Sequence, residues 1–418
     1  MAADSRLALA ALRSGAWLTR RRVTGYSGLL LAVEIIGFVF LIAGTHGWIV
    51  PLPRPTTTDF VSFYAAGALA DAGTPQLAYD QAAHYAAEQQ ASAPGIEYQF
   101  YFYPPVFLLL CAALARLPYL AAFVLFEAAT LVAYFLVVRA ILNLHGRAAL
   151  VPLLAFPAVF WTLGLGQNAF LTASLFGAAT LILDRRPWLA GILFGALCYK
   201  PHFGLLVPVA LASGRHWRSF AGAAGSAGLL CALSLALFGT GTWQAFLAAA
   251  SASHGVYESG RIDLAGFVSP FGLVLMLGGP PALAYACQGL ATLAAAALVG
   301  WTWWRRRDLR QRAATLAAAT LVAIPVALLY DLMTAAVAAA WLVRGGRENG
   351  FGPWEKTVLA ALFLVPMGAR GLGDAWHVPA ASIAVLALLA LVIARLRRDP
   401  AGAGRGAAAA GTADQFGT

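Results

Sequence analysis

Acidic residues are scarce in this sequence, and many of those present lie in one polar stretch near the N-terminus. Five of the 18 acidic residues fall between residues 51 and 105: Asp59, Asp71, Asp80, Glu88 and Glu97. Asp59 opens an apolar and aromatic run, and a carboxylate in that setting suits a general base, which takes a proton from an attacking hydroxyl. The alternative is an N-cap for a helix that begins beside it. Asp71 and Asp80 read as a helix end and a turn, where capping or solvated roles are expected.

Lys200 is the second candidate for chemistry, because it is one of only two lysines and stands between two apolar segments. An ammonium there suits a phosphate at a membrane surface, and the alternative is an interfacial anchor. Further predicted phosphate-binding residues are Arg261, His202 and Tyr101.

Other polar and aromatic residues are candidates for binding the rest of a substrate. The aromatic run from Tyr98 to Tyr103 is predicted to form a wall for a sugar or a prenyl chain, unless it is an interfacial aromatic belt. Tyr64 and His254 are predicted substrate-binding residues. Tyr330 and Asp331 end an apolar segment, and a carboxylate that borders hydrocarbon is a functional candidate by default.

The elements that position these residues are membrane helices. The chain of 418 residues is 61% hydrophobic and 11% charged, whereas soluble domains carry roughly 25% charged residues. Of the 28 basic residues, 26 are arginines that cluster at the ends of apolar segments, a topology signal rather than a nucleic-acid footprint. The four cysteines lie in apolar stretches and indicate neither a disulfide framework nor a metal site.

Arginine clusters orient the segments, because cytoplasmic loops are enriched in basic residues. Arg20, Arg21 and Arg22 place the N-terminus in the cytoplasm, and the first apolar run, which lacks a cleavage site, is predicted to remain as an anchor. The sequence predicts an all-α polytopic protein with about 12 spans and both termini inside, expected in a bacterial cytoplasmic membrane. A cytoplasmic N-terminus (1–25), a transmembrane domain (26–398) and a disordered tail (399–418) are predicted.

Two polar loops are predicted outside the membrane, at 51–105 and 239–266. Residues 106–117 are ambiguous, because they form either a re-entrant half-helix or one arm of a hairpin broken at Pro118. The half-helix keeps every later basic cluster cytoplasmic and is therefore preferred. Residues 268–277 are predicted to be a second half-helix between Pro270 and Pro280.

The order of several short blocks resembles glycosyltransferase family 87, a group within the GT-C superfamily. The blocks are TDFVSFYAAG, FYFYPPVFLL, LGLGQNAFLT, ALCYKPHFG and LLYDLMTA, which extend from about Asp59 to Leu342. The resemblance implies a GT-C fold and the transfer of a sugar, mannose in many relatives, from a polyprenyl phosphate to a lipid- or glycan-linked hydroxyl with inversion. It implies that Asp59 is the general base and that Lys200, Gln167, Asn168, Tyr330 and Asp331 match family blocks.

No nucleotide-binding or zinc-binding motif occurs. We expect no cofactor and no metal, and partners limited to the lipid-linked donor, the acceptor and membrane lipids, with no nucleic acid. A transporter or flippase that uses Glu34, Glu127 and Asp331 is the alternative function, and a scaffold that has lost activity is the third.

Overall fold

The computed structural model describes residues 2–45, 58–144, 150–253, 255–256, 262–305 and 307–398. The regular elements in these ranges are helices. We number the α-helices in chain order: α1 Ala2–Ser14, α2 Arg20–Thr45, α3 Phe60–Asp71, α4 Gln81–Ala91, α5 Pro105–Ala115, α6 Tyr119–Leu142, α7 Leu150–Leu154, α8 Pro157–Leu165, α9 Ala169–Ile182, α10 Pro187–Ala196, α11 Val207–Ser213, α12 Trp217–Ala252, α13 Pro270–Met276, α14 Pro281–Trp304, α15 Leu309–Ala323, α16 Leu332–Asn349, α17 Glu355–Trp376 and α18 Ala380–Arg398. Short 3-10 turns are Pro75–Tyr79, Leu197–Tyr199, Pro201–Gly204, Leu264–Gly266 and Leu329–Asp331.

Within the described residues, six helices are long and apolar enough to cross a membrane, namely α2, α6, α12, α14, α17 and α18. A span needs about 20 residues, and several predicted spans are shorter helices in the structure, such as α9 with 14 residues and α10 with 10. The all-helical membrane class is confirmed. The total of about 12 spans stays a prediction.

Three segments differ from the sequence-based boundaries. α12 continues to Ala252, so the first half of the predicted loop 239–266 is helical, because its alanine-rich sequence favours helix. The predicted boundary at Gly239 is a kink instead, with φ of 76°. The sequence predicts one span over residues 148–163. In the structure this segment is interrupted between α7 and α8, ahead of Pro157, because a residue that precedes proline is driven out of the helical region.

The core consists of one large cluster and one smaller aromatic cluster. In the large cluster, α15 is enclosed on all sides, and every residue from Gln311 to Ala323 is buried. Alanines make up much of this helix, so neighbouring helices can approach it closely. The aromatic cluster joins α3, α5 and α6 through Phe60, Phe107 and Phe126. This second cluster holds the polar N-terminal region against the rest of the protein.

α3 and α5 lie side by side, and the closeness of their backbones depends on Gly67. A Cβ at Gly67 would lie 2.1 Å from the carbonyl oxygen of Cys111. At the other end of the pair Arg116 binds Asp71 at 3.2 Å, so Asp71 is an ion-pair partner rather than a cap. Asp80 is an N-cap as predicted, with its side chain accepting from Ala83 N. With 11 residues, α5 rises about 17 Å, and the half-helix interpretation stays a prediction.

We expect Gly67→Ala to lower the thermal unfolding temperature of the purified protein in detergent, because the new methyl group must push α3 away from α5. The matched control is Gly37→Ala, since nothing lies within 4 Å of a Cβ there. That control should leave stability equal or raise it by up to about 1 kcal/mol, the usual helical gain of alanine over glycine. Equal behaviour of the two variants would contradict the close α3–α5 contact.

Candidate active site

Asp59 lies immediately before α3, but its side chain does not cap the helix. The residue has φ of −59° and ψ of −17° and makes no side-chain bond to the first turn. Instead, its Oδ2 accepts a hydrogen bond from Gln167 Nε2 at 2.7 Å. The N-cap alternative is therefore wrong, and the carboxylate is turned toward residues more than a hundred positions away.

The turn between α8 and α9 presents Gln167 and Asn168 to this carboxylate. Gly166 occupies it with φ of 67°, and a Cβ there would lie 2.8 Å from Cβ of Phe60. Glycine thus satisfies both the left-handed backbone and the tight contact with α3. The hydroxyl of Tyr103 donates to Oε1 of Gln167 at 3.4 Å, so this amide is held from both ends.

The neighbouring residue, Asn168, continues the chain of contacts to a buried ion pair. Lys200 Nζ donates to Asn168 Oδ1 at 3.4 Å and to Asp331 Oδ1 at 2.6 Å. The second oxygen of Asp331 accepts from Leu328 N at 3.1 Å. Lys200 is 4% exposed and Asp331 is 2% exposed. We call the six connected residues the polar network: Asp59, Tyr103, Gln167, Asn168, Lys200 and Asp331.

Burial makes the Asp59 carboxylate a better proton acceptor than an ordinary aspartate. It raises the pKa of Asp59 from 3.8 to about 6, while the hydrogen bond from Gln167 and the charge of Arg370 oppose the rise. Arg370 belongs to α17, pairs through Nε with Asp263 at 2.7 Å and lies over the ring of Trp161 at 5.8 Å. A carboxylate with such a pKa is ionised at neutral pH and can accept a proton.

The remaining predicted residues divide into neighbours of the network and residues outside it. Tyr330 lies with its ring 5.3 Å from Lys200 Nζ, and His202 is two residues beyond Lys200, with a buried Nε2 that has no hydrogen-bond partner among the described residues. The hydroxyl of Tyr101 contacts the Cys111 thiol, and that of Tyr64 donates to Leu117 O at 2.9 Å. Both hydroxyls thus bond outside the network, and Tyr101 borders it only through its ring, whose centroid lies 5.6 Å from that of Tyr103. Arg261 and His254 lie outside the described residues.

Two features of the site were not assigned to it from the sequence. One is Arg370, which no sequence motif connected to the site. The other is a buried pair on α4, in which His84 Nδ1 lies 3.6 Å from Glu88 Oε1. Burial raises the pKa of Glu88 to about 8 and lowers the pKa of His84 to about 4, so both are neutral at pH 7. His84 Nε2 also binds Ser62 O at 3.0 Å, which fixes α4 against α3. The spacing of four residues was the available signal.

The structure therefore defines a helical membrane protein with an ionisable network at one end of its bundle. A family model for glycosyltransferase family 87 matches residues 101–330, which is more than half of the chain. The chain belongs to glycosyltransferase family 87. The match includes most of the polar network, whereas Asp59 precedes it and Asp331 follows it by one residue. No curated protein and no solved structure matches the chain.

Lys200 and Asp331 should depend on each other for stability, because a buried charge that loses its partner is left uncompensated. We expect Lys200→Met and Asp331→Asn each to destabilise the protein by about 3–5 kcal/mol. The double variant Lys200→Met with Asp331→Asn should recover most of that loss, since no charge remains buried. Thermal unfolding of the four proteins in detergent measures the coupling, and additive losses would show that the two charges are not paired.

Proposed function

We propose that the chain transfers a sugar from a polyprenyl-phosphate donor to a hydroxyl of a lipid- or glycan-linked acceptor, on the extracytoplasmic side of the membrane. Membership of family 87 supports sugar transfer by a membrane protein. The type of donor follows from the family resemblance and from the absence of a nucleotide-binding motif in the sequence. Mannose is the sugar to test first, because the resemblance implies it.

The observation that carries the proposal is the position of Asp59. Its carboxylate is held by Gln167 rather than by its own helix, and the pKa of Asp59 is raised by burial to about 6. A sugar hydroxyl is a poor nucleophile until a positioned base takes its proton as it attacks. Asp59 has the protonation state and the restraint that this role requires.

The reaction is a single displacement at the anomeric carbon. The acceptor oxygen forms the new glycosidic bond, the bond between the anomeric carbon and the phosphate oxygen breaks, and the hydroxyl proton passes to Asp59. Configuration is inverted because the attack comes from the face opposite the leaving phosphate. Gln167 and Tyr103 hold the base, and the phosphate leaves as an anion without needing an acid.

For Lys200 to bind phosphate as predicted, its ammonium group would have to contact the phosphate and the Asp331 carboxylate at the same time. Its ammonium is already 2.6 Å from that carboxylate, so the pair carries no net charge. In this arrangement Lys200 also fixes Asn168, and through the adjacent peptide it fixes Gln167. The function of Lys200 is therefore tied to the geometry of the base.

One observation favours a second candidate function, a transporter with an intramembrane carboxylate. Glu127 lies within α6, is 3% exposed, and neither of its carboxylate oxygens has a hydrogen-bond partner among the described residues. Such residues mark ion and proton pathways in many membrane proteins. A transporter built on Glu127 would not depend on Asp59, which gives a direct way to separate the two functions.

Replacement of Asp59 by asparagine should abolish most of the turnover and preserve the fold. General-base catalysis contributes about 10²–10⁴-fold, so we expect kcat of Asp59→Asn to fall by about that factor in sugar transfer from labelled polyprenyl-phosphate mannose to a membrane extract. Asp71→Asn and Asp80→Asn are matched controls and should change kcat far less.

The folding of Asp59→Asn is expected to be intact. The pKa of Asp59 is higher in the folded protein than in the unfolded chain, so the free energy of unfolding falls as pH rises from about 4 to about 6. Asparagine carries no charge, so the variant should be as stable as the wild type at pH 7, or more stable. Full turnover in this variant would reject Asp59 as the base. If Asp71→Asn or Asp80→Asn lost turnover instead, the catalytic base would be assigned to that aspartate and not to Asp59.

The pH dependence of transfer should report the same carboxylate. We expect kcat/KM to fall about tenfold for each pH unit below about 6, because protonated Asp59 cannot accept a proton. Gln167→Leu removes a hydrogen bond that lowers the pKa of Asp59, so the acidic limb should move to higher pH. Gln81→Leu, at an exposed position of α4, is the control, and an unchanged limb in Gln167→Leu would contradict this assignment.

A further inference from the structure

A cavity of about 350 Å³ runs along one face of α16. Its walls come from α2, α6, α7, α16, α17 and α18, and Arg347 is the one charged residue among those that line it. The face of α16 is built from small residues, including Ala335, Ala336 and Ala339, which leave the space open. From Leu332 to Arg347 the helix rises about 22 Å, comparable to most of a bilayer's hydrocarbon thickness. We call this space the α16 cavity.

One end of the α16 cavity lies directly beside the polar network. Leu332 lines the cavity and is the next residue after Asp331. Phe156, which begins the turn into α8, also lines it, and α8 leads to Trp161 and then to Gln167. A chain that occupied the cavity would therefore emerge where the network begins.

Arg370 stands at the same end and has capacity to bind an anion. On α17, Leu359 and Phe363 line the cavity, and Arg370 follows Phe363 by two helical turns on the same face, about 10 Å further along. The carbonyl of Pro366, between them, accepts a hydrogen bond from Trp161 Nε1 at 2.7 Å, and the Trp161 ring faces the Arg370 guanidinium.

The charge on Arg370 remains accessible, in contrast to that of Lys200. Its side chain is 47% exposed, and its ion-pair partner among the described residues, Asp263, is bound through Nε. A guanidinium that is about half exposed can present its planar donor edge to a phosphate. Trp161, whose ring faces Arg370, lies on α8, the helix that leads to Gln167, and Gln167 holds Asp59. A phosphate at Arg370 would therefore lie on the side of the protein that carries the base.

We propose that the α16 cavity binds the hydrocarbon chain of the lipid donor and that Arg370 binds the donor's phosphate. This inference rests on the proposed function for the identity of the lipid. The cavity supplies an apolar channel of suitable length, and the cation stands where that channel meets the carboxylate that would receive the acceptor proton. The sugar would then lie between Arg370 and Asp59, with its anomeric carbon turned to the acceptor.

The opposite end of the cavity offers a competing position for a headgroup. There Arg347 donates to Leu142 O at 2.7 Å and so satisfies a carbonyl in the last turn of α6. Because of this hydrogen bond, Arg347 closes the end of the cavity and is not a vacant anion-binding site. Binding of a phospholipid headgroup at Arg347, with its acyl chain in the cavity, is the alternative that the experiment must reject.

The experiment measures binding of long-chain polyprenyl phosphate, without a sugar, to the full-length protein in nanodiscs. A short-chain prenyl phosphate serves as a second probe that keeps the phosphate and lacks most of the chain. Ala339→Phe fills the cavity and should raise the Kd of the long-chain probe by about tenfold, because several methylene contacts are lost. The Kd of the short-chain probe should not change. Ala294→Phe, on the exposed side of α14, is the matched control and should bind both probes as the wild type does.

The charge at the head end is tested with the same probes. Arg370→Gln should raise the Kd of both probes by about tenfold or more, since each loses a charge-assisted contact. Arg370→Lys should recover part of the affinity. Arg347→Gln should leave the Kd of the short-chain probe unchanged, because the phosphate of that probe would bind at the opposite end of the cavity. Ala336→Leu is a milder filler for use if Ala339→Phe lowers the unfolding temperature.

Three results would overturn the inference. One is wild-type binding of the long-chain probe by both cavity-filling variants. Another is that Arg347→Gln or Lys200→Gln loses phosphate binding while Arg370→Gln binds the phosphate normally. The third is equal displacement of the long-chain probe by phosphatidylglycerol, which would make the cavity a site for bulk lipid.

The binding measurements separate this inference from the proposed catalytic role. Asp59→Asn should bind both probes normally, because the base does not touch the phosphate. If Asp59→Asn stays active while the cavity variants lose binding, the base is wrong and the lipid site stands. If Asp59→Asn is inactive while every cavity variant binds normally, the lipid site is wrong and the base stands.

Discussion

The ion pair between Lys200 and Asp331 is the constraint on which the polar site depends. Removing two charges from water costs several kcal/mol for each ion, so they persist in an apolar bundle only if they meet in good geometry and their other polar atoms are also bonded. Asp331 meets this condition with Lys200 on one oxygen and Leu328 N on the other. Lys200 in turn fixes Asn168, whose neighbour Gln167 holds Asp59. The need to pair the buried charges of Lys200 and Asp331 thus sets the position of the Asp59 carboxylate in a distant segment.

The surroundings of Asp59 show how an apolar protein can hold a carboxylate with a raised pKa. Burial pushes the pKa of Asp59 upward, because it disfavours the charged form of the carboxylate. The hydrogen bond from Gln167 and the charge of Arg370 limit that rise, so the pKa of Asp59 stays near 6. The buried His84–Glu88 pair supports the arrangement without adding charge, since it ties α4 to the backbone of α3. The aromatic cluster then encloses this polar region against the bundle.

In the proposed function, the lipid donor and the polar site meet at one end of the bundle for a related reason. A hydrocarbon chain is most stable away from water, whereas its phosphate must remain near water or near a cation. In this chain α16 carries small apolar residues directly after Asp331, and α17 carries Arg370 directly beyond the apolar lining of the same cavity. A chain held in that cavity would deliver its phosphate to the only place where the protein places an accessible arginine near Asp59, within the described residues.

The sequence by itself determined the membrane class, the helices and the main candidates, because hydrocarbon solvent imposes long apolar segments and arginines mark their ends. It identified Asp59, Lys200, Gln167, Asn168 and Asp331 as residues of interest. It did not determine whether Asp59 caps α3 or faces Gln167, since both fit a carboxylate before a helix, nor that Asp331 neutralises Lys200 across 131 positions of chain. It assigned no site role to Arg370, because nothing in the local sequence connects this residue to Asp59. Those outcomes required the tertiary structure, because they depend on side-chain contacts between segments far apart in sequence, and local propensity carries no information about such contacts.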